Sequence, residues 1–256
     1  MIPIDKVVIL AGGKGTRIVE ESQYKPKPLV EIGGIPILIH IMCIFSHYGV
    51  NNFFILTGYK SLDIKKYFLN DIYSKSDLKI NYNNKSVEFF DKKTKNWTVN
   101  IIETGEESMT GGRLLRAKKY IGENDFFLTY GDCLSDVDLG KLYKNHKKNR
   151  KIATVTGILQ KNRFGSISLD NKGKVKRFAE KPIDSDTLIS GGFFIFNNKI
   201  FQYLKNSKTI LEKEPLSKLA NIKQLNCYHH KGFWHPMDNL REKNELENLW
   251  NSGKAP

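Results

Sequence analysis

Short apolar or β-branched runs at 6–10, 53–57, 98–103 and 126–130 punctuate the first half of the chain. Between them, apolar positions recur at helical spacing over 36–48, 61–69 and 111–121, and a further such stretch follows at 138–148. Runs of this kind predict strands buried on both faces, and their alternation with helices predicts a parallel, doubly wound sheet with right-handed crossovers. Residues 77–97 break the alternation. Two strand-like runs, 78–82 and 86–90, flank Asn83-Asn84, which predicts a β-hairpin excursion suited to a subunit contact.

The second half is richer in strands. They are predicted at 152–159, 164–169, 173–178 and 188–196, with Asn171-Lys172-Gly173 as a hairpin turn. Helices are expected at 198–205 and 214–221, then a strand at 223–228 and an amphipathic helix at 239–251. No Gly-, Ser- or Pro-rich linker and no internal repeat divides the sequence. The expectation is one continuous α/β domain over 1–256, with a Rossmann-like, mostly parallel but mixed sheet and a β-rich second half.

Forty per cent hydrophobic and 11% aromatic residues indicate a globular protein. Asp5 and Lys6 interrupt any apolar leader, and the longest apolar stretch, Ile35 to Phe45, is too short to span a bilayer. Cys43, Cys133 and Cys227 are odd in number and far apart, which points to free thiols in a reducing cytoplasm. The charge of +14, from 41 Lys and Arg against 27 Asp and Glu, would attract nucleic acid, anionic membranes or small phosphorylated substrates. The lysines, however, are scattered along solvated stretches such as Lys144 to Lys151, and no basic block is interleaved with aromatics. The expectation is no nucleic-acid partner and no membrane partner.

The chemistry begins at Leu10-Ala11-Gly12-Gly13-Lys14-Gly15-Thr16-Arg17, directly after the predicted strand. Gly12, Gly13 and Gly15 can bring the backbone close to an anion and can adopt positive φ, so successive N–H groups can point at phosphate. Arg17 and, after Lys25-Pro26, Lys27 add positive charge. The spacing is neither that of the P-loop nor that of the dinucleotide fingerprint. Gly131-Asp132 ends another predicted strand, at the same carboxyl edge of the sheet where α/β proteins bind ligands. A carboxylate beside a phosphate site implies a cation between them, and Mg²⁺ is the ion that pairs one or two carboxylates with phosphate oxygens.

For Asp238, the residues alone leave two readings, the N-cap of the last helix or a second metal ligand. Arg113 likewise reads either as a contact to a base or phosphate, or as part of a plain helix start capped by Thr110. Asp136 and Asp138 read as cap or turn aspartates before the 139–148 helix, and His229-His230 as structural. In Glu180-Lys181-Pro182, the lysine suits a phosphate monoester and the glutamate suits sugar hydroxyls, with Gly191-Gly192 offering backbone nearby.

Leu10 to Arg17, Lys25 to Pro28, Gly131-Asp132, Glu180-Lys181-Pro182 and the acidic residue before the last helix together resemble the sugar-1-phosphate nucleotidyltransferases. Glu31 to Gly34, Ser46 to Gly49, Met109 to Arg113, Arg163 to Gly165, Gly191 to Phe194 and Gly232 to Asp238 are similar to the glucose-1-phosphate cytidylyltransferase branch. The resemblance implies the nucleotidyltransferase fold, with a sugar-binding part in the second half, and CTP and glucose 1-phosphate as substrates. It implies CTP held by Leu10, Ala11, Gly12, Gly13, Lys14, Gly15, Thr16, Arg17, Lys27, Ser108, Arg113, Gly131 and Asp132. Arg17, Lys27 and Asp132 would be catalytic, and Mg²⁺ would sit on Asp132 and Asp238. Glu180, Lys181 and Gly192 would hold the sugar phosphate, and the assembly would be a homo-oligomer, a hexamer by family likeness. Cys133 departs from the family, which often has glycine there, and residues 183–187 diverge near the expected sugar pocket.

Overall fold

The computed structural model describes residues 2–15, 25–90, 95–161, 166–169, 174–179 and 183–256. Along the first half run β1 (Lys6–Ala11), β2 (Glu31–Ile32), β3 (Ile35–Pro36), α1 (Ile37–His47), β4 (Asn52–Thr57), α2 (Ser61–Ser74), β5 (Leu78–Asn81) and β6 (Ser86–Phe89). Then come β7 (Thr98–Glu103), α3 (Thr110–Ile121), β8 (Phe126–Tyr130), β9 (Cys133–Ser135) and α4 (Leu139–Asn149). The second half adds β10 (Ala153–Lys161), β11 (Ser166–Leu169), β12 (Val175–Ala179), β13 (Ile183–Phe196), α5 (Glu214–Asn221), β14 (Leu225–His230), β15 (Trp234–Pro236) and α6 (Leu240–Asn251).

Seven strands form the central sheet in the order β14-β10-β13-β8-β1-β4-β7. Every neighbouring pair is parallel except the two made by β13, which runs antiparallel to both β8 and β10. The sheet is therefore mixed, as expected. Alternate side chains of each central strand enter opposite cores. Val7, Ile9, Phe53, Ile55, Phe127, Phe193 and Ile195 pack under α1 and α4 on one face. Val8, Leu10, Phe54, Leu56, Leu128, Phe194 and Phe196 pack under α3 and the 198–219 region on the other. That two-sided burial is why these strands read as unbroken apolar runs.

Several boundaries differ from the sequence expectation. The helix expected at 198–205 is a 3₁₀ segment, Asn198–Tyr203, capped by the Asn197 side chain on the Lys199 amide. β14 starts two residues later than expected, at Leu225, where its register with β10 places Leu225 opposite Ala153. β5 and β6 pair only with each other, as the expected hairpin. β11 and β12 form a second separate ribbon, and the expected turn at 171–173 lies outside the described residues. Two short ribbons, β2–β3 and β9–β15, had no counterpart in the sequence reading. The second of these builds the site.

Candidate active site

β1 and β8 are adjacent and parallel, so their carboxyl ends open side by side at one edge of the sheet. The Gly131 amide donates to the Leu10 carbonyl at 3.0 Å and ties the two ends together. A Cβ on Gly131 would lie 3.2 Å from that carbonyl and 3.3 Å from Pro28 Cγ, so the close approach of Lys27-Pro28 leaves little room for a side chain. Lys27 itself begins a one-turn 3₁₀ helix, Lys27–Leu29, with prolines at 26 and 28 where no helical amide is needed.

Chain reversal after β8 leads into β9, which pairs antiparallel with β15 so that Cys133 faces Pro236 and Ser135 faces Trp234. One step further, the Met237 amide donates to the Asp132 carbonyl at 2.9 Å. This register brings Asp238 beside Asp132. Lys27 Nζ donates to Asp132 Oδ2 at 2.6 Å and to Asp238 Oδ1 at 2.8 Å. The lysine side chain is 11% exposed, whereas the two aspartates are 32% and 36% exposed. Burial alone would lower the Lys27 pKa, but Asp132 and Asp238 together outweigh it and hold the ammonium above the ordinary lysine value.

The two readings of Asp238 are now separable. The cap of α6 is the next residue, Asn239, whose Oδ1 accepts from the Glu242 amide at 3.0 Å. Glu242, buried, reaches back to accept from the Asp238 amide at 2.7 Å. Asp238 is thus held through its backbone while its carboxylate meets Lys27. The Asn239-x-x-Glu242 spacing carries both bonds, with the return bond on the amide one residue before the cap.

The glycine turn departs from its expected conformation. Only Gly15, with φ of +65°, is in the left-handed region; Gly12 and Gly13 are not. Gly12 is small for another reason, since a Cβ there would lie 2.3 Å from Arg113 Nη1. Gly13 is exposed and faces open space. Lys14 pairs with Glu107 at 2.6 Å, with both side chains exposed. Ser108 Oγ donates to the Thr104 carbonyl at 2.6 Å.

Arg113 does not present its guanidinium to a cleft. It is 5% exposed, and its terminal nitrogens donate to main-chain carbonyls. Thr110 is not the helix cap either. The cap position belongs to Met109, and Thr110 Oγ1 instead donates to Glu212 and accepts from the Leu211 amide. Asp138 caps α4 on the Lys141 amide, as expected, whereas Asp136 pairs with buried His230 at 3.0 Å.

Gly192 lies against the Tyr130 ring, where a Cβ would come within 2.7 Å of it. The Tyr130 hydroxyl donates to Glu212, and burial first, then Glu212, pushes the phenol far above its ordinary pKa. Cys133 is buried, and burial, then Asp132 and Asp238, raises its thiol pKa. All three cysteines are free. Thr16, Arg17, Glu180 and Lys181 lie outside the described residues.

The residues fit a hydrated divalent cation. Among the described residues no cluster of three metal-ligating side chains forms, but two partly exposed carboxylates converge on Lys27 at the carboxyl edge of the sheet. Mg²⁺ typically takes one or two carboxylates and keeps several waters.

A family model described as nucleotidyl transferase matches residues 6–238, from the start of β1 to Asp238. The chain belongs to the nucleotidyl transferase family. It is 44% identical over 252 residues to the glucose-1-phosphate cytidylyltransferase of Salmonella typhimurium, covering 98% of both chains. It is 43% identical to the probable glucose-1-phosphate cytidylyltransferase of Bacillus subtilis, covering 97% of both. The fold is also similar to HddC from Yersinia pseudotuberculosis complexed with GMP-PN, with a TM-score of 0.69 at 24% identity over 96% of this chain and all of that one. A UDP-glucose pyrophosphorylase complexed with UDP-glucose gives the same TM-score at 20% identity, over 98% of this chain and 99% of that one. No helix among the described residues is long and apolar enough to cross a membrane.

Proposed function

We propose that this enzyme transfers the cytidylyl group of CTP to α-D-glucose 1-phosphate, giving CDP-glucose and pyrophosphate. The observation that carries the chemistry is the meeting of Lys27, Asp132 and Asp238 beside the glycine turn. The choice of CTP and glucose rests on the full-length likeness to glucose-1-phosphate cytidylyltransferases.

A phosphate oxygen of the sugar phosphate attacks the α-phosphorus in line, and the bond from that phosphorus to the oxygen bridging to the β-phosphate breaks. The nucleophile needs no general base, because a phosphate monoester has a second pKa of about 6 and is already dianionic at neutral pH. What must be overcome is repulsion between two polyanions, by positioning and charge neutralisation. Leu10 to Gly15 and Thr16 cradle the triphosphate, with Ser108, Gly131 and Asp132 closing the nucleotide side. Arg17 and Lys27 supply fixed positive charge. Lys181 holds the sugar phosphate, Glu180 accepts from sugar hydroxyls and Gly192 lines that side. Asp132 and Asp238 would hold Mg²⁺, which would supply positive charge against phosphate oxygens.

We infer that the chain assembles with itself and works in the cytoplasm. Hairpin β5–β6 supports self-assembly: Ile80, Tyr82, Val87, Phe89 and Phe90 are all exposed at it, and Phe89 lies 5.8 Å from the exposed Tyr73 ring of α2. An isolated two-stranded ribbon with an apolar face needs a cover, and a second copy supplies one of matching character. The three free cysteines suit a reducing compartment.

The test is pyrophosphate release across CTP, UTP and dTTP and across several sugar 1-phosphates, with Mg²⁺ added and omitted. Release with CTP and glucose 1-phosphate, lost without the metal, is expected. A strong preference for another nucleotide or another acceptor would overturn the assignment.

A further inference from the structure

β9 and β15 have three residues each and pair only with each other, yet Asp132 directly precedes the first and Asp238 closely follows the second. A ribbon this short does not hold its own position. Leu134, Phe233 and Trp234 rest against the core beneath it, but apolar contact is non-directional and does not fix a register. At the near end, the Met237 amide is bound to the Asp132 carbonyl. The far end needs a fastening of its own.

His230 supplies it. This residue ends β14, an edge strand of the seven-stranded sheet, opposite Ile158 of β10. Its ring is buried, and Nε2 stands 3.0 Å from Asp136 Oδ1, 3.1 Å from the Phe233 carbonyl and 3.2 Å from Ser135 Oγ. Carboxylate and carbonyl oxygens only accept, so Nε2 carries the hydrogen and donates. The Phe233 carbonyl also accepts from Ser135 Oγ at 2.8 Å and from the Asp136 amide at 3.2 Å. Ser135 ends β9 and Phe233 precedes β15, so one imidazole ties both ribbon strands to the central sheet. Gly232 leaves room for the cluster: a Cβ there would lie 2.3 Å from Asp136 Oδ1 and 2.8 Å from His230 Cε1.

Serine, histidine and aspartate meet here, but not as a nucleophilic triad. That device places the serine and the aspartate on opposite ring nitrogens, whereas both stand at Nε2. The cluster serves geometry.

We propose that His230 is a positioning residue, which with Asp136 holds the β9–β15 ribbon in register and so sets the separation of the Asp132 and Asp238 carboxylates for a divalent cation. The cation part rests on the proposed metal role of those two aspartates. The ribbon part does not.

The experiment compares full-length wild type, His230→Leu and His230→Gln without nucleotide. The Gln amide nitrogen can take the place of Nε2 and donate to the same oxygens, whereas Leu cannot. Amide hydrogen exchange at 133–136 and 233–238 should accelerate by about tenfold in His230→Leu, while β1, β4 and β8 keep their protection. Mn²⁺ affinity, read by paramagnetic resonance, should fall by about tenfold in the same variant. The Mg²⁺ concentration for half-maximal turnover should rise by a similar factor, with kcat at saturating metal within about threefold of wild type. His230→Gln should stay within about threefold of wild type in each readout. Asp136→Ala, which removes one acceptor and leaves the imidazole in place, should move exchange and Mn²⁺ affinity the same way by about threefold, and takes over if His230→Leu does not fold.

Unchanged exchange at 133–136 and 233–238 in His230→Leu, or in Asp136→Ala in its place, would overturn the proposal. So would equal losses in the Leu and Gln variants with faster exchange across the whole central sheet, which mark a histidine that only supports the fold. Wild-type Mn²⁺ binding that Asp238→Asn leaves unchanged would defeat the metal reading instead, and exchange alone would then decide whether His230 positions the ribbon.

Discussion

The amide of Met237 donates a 2.9 Å hydrogen bond to the carbonyl of Asp132, so the residue before Asp238 is fastened to the backbone of the first aspartate. Distance between the two carboxylates is thus fixed by main-chain pairing rather than by side-chain choice. The ribbon register, with Cys133 opposite Pro236, leaves Lys27 to fill the gap between them.

Asp132→Asn should remove most activity, by about 10²-fold or more, because a neutral amide is a poor ligand for a hard cation and leaves Lys27 with one carboxylate. The check is kcat measured up to saturating Mg²⁺. Near-normal turnover there would exclude a metal role for Asp132.

Lys27→Met separates two effects that have opposite signs. Turnover should fall by about 10²–10³-fold, since a fixed cation is lost from the transition state. Affinity of the nucleotide-free protein for Mn²⁺, read by paramagnetic resonance, should rise, since Asp132 and Asp238 no longer face an ammonium. Weaker Mn²⁺ binding in this variant would contradict the placement of the cation site.

The pH behaviour of Lys27 follows from its raised pKa. A lysine held above its ordinary value of 10.5 contributes stability that is present in full below that value and is lost as pH rises through the folded-state pKa. The difference in denaturant midpoint between wild type and Lys27→Met should therefore stay flat from neutral pH to about 10 and shrink above it. A difference that already changes between pH 7 and 9 would show that Lys27 is not paired as described.

Lys181→Ala is expected to raise the apparent KM for glucose 1-phosphate by about tenfold or more while leaving that for CTP within about twofold. A rise confined to CTP would move Lys181 to the nucleotide side.

Replacing Ile80 with Lys and Val87 with Glu, both exposed and opposite each other on the β5–β6 hairpin, should reduce assembly size in sedimentation without unfolding the protein. An unchanged sedimentation coefficient would mean that this face is not the contact.

β1, β4 and β8 were legible because burial on both faces forces continuous apolar runs, whereas β7, at the sheet edge and largely half-buried, was legible from its β-branched residues. The ribbon of β9 and β15 was not legible. Each strand has three residues, one contains Pro236, and no periodicity can register over that length. Lys27, Asp132 and Asp238 could be singled out by residue type, but their meeting depends on that unseen ribbon. Gly12 carries a second constraint that the sequence does not display: its lack of a side chain accommodates Arg113, a contact across 101 residues. Of the two readings the residues left open for Asp238, the cap falls one position later, to Asn239, which leaves the Asp238 carboxylate to meet Lys27.

The late position of β15 in the chain carries a consequence for biogenesis. A polypeptide emerging from the ribosome displays the glycine turn, Lys27 and Asp132 long before residues 234–238 exist. Until that final ribbon docks, Lys27 has one acidic partner instead of two, and the proposed cation site has one of its two carboxylates. Nascent chains should therefore be catalytically silent, acquiring activity in a single late step when the strand around His235 closes against β9.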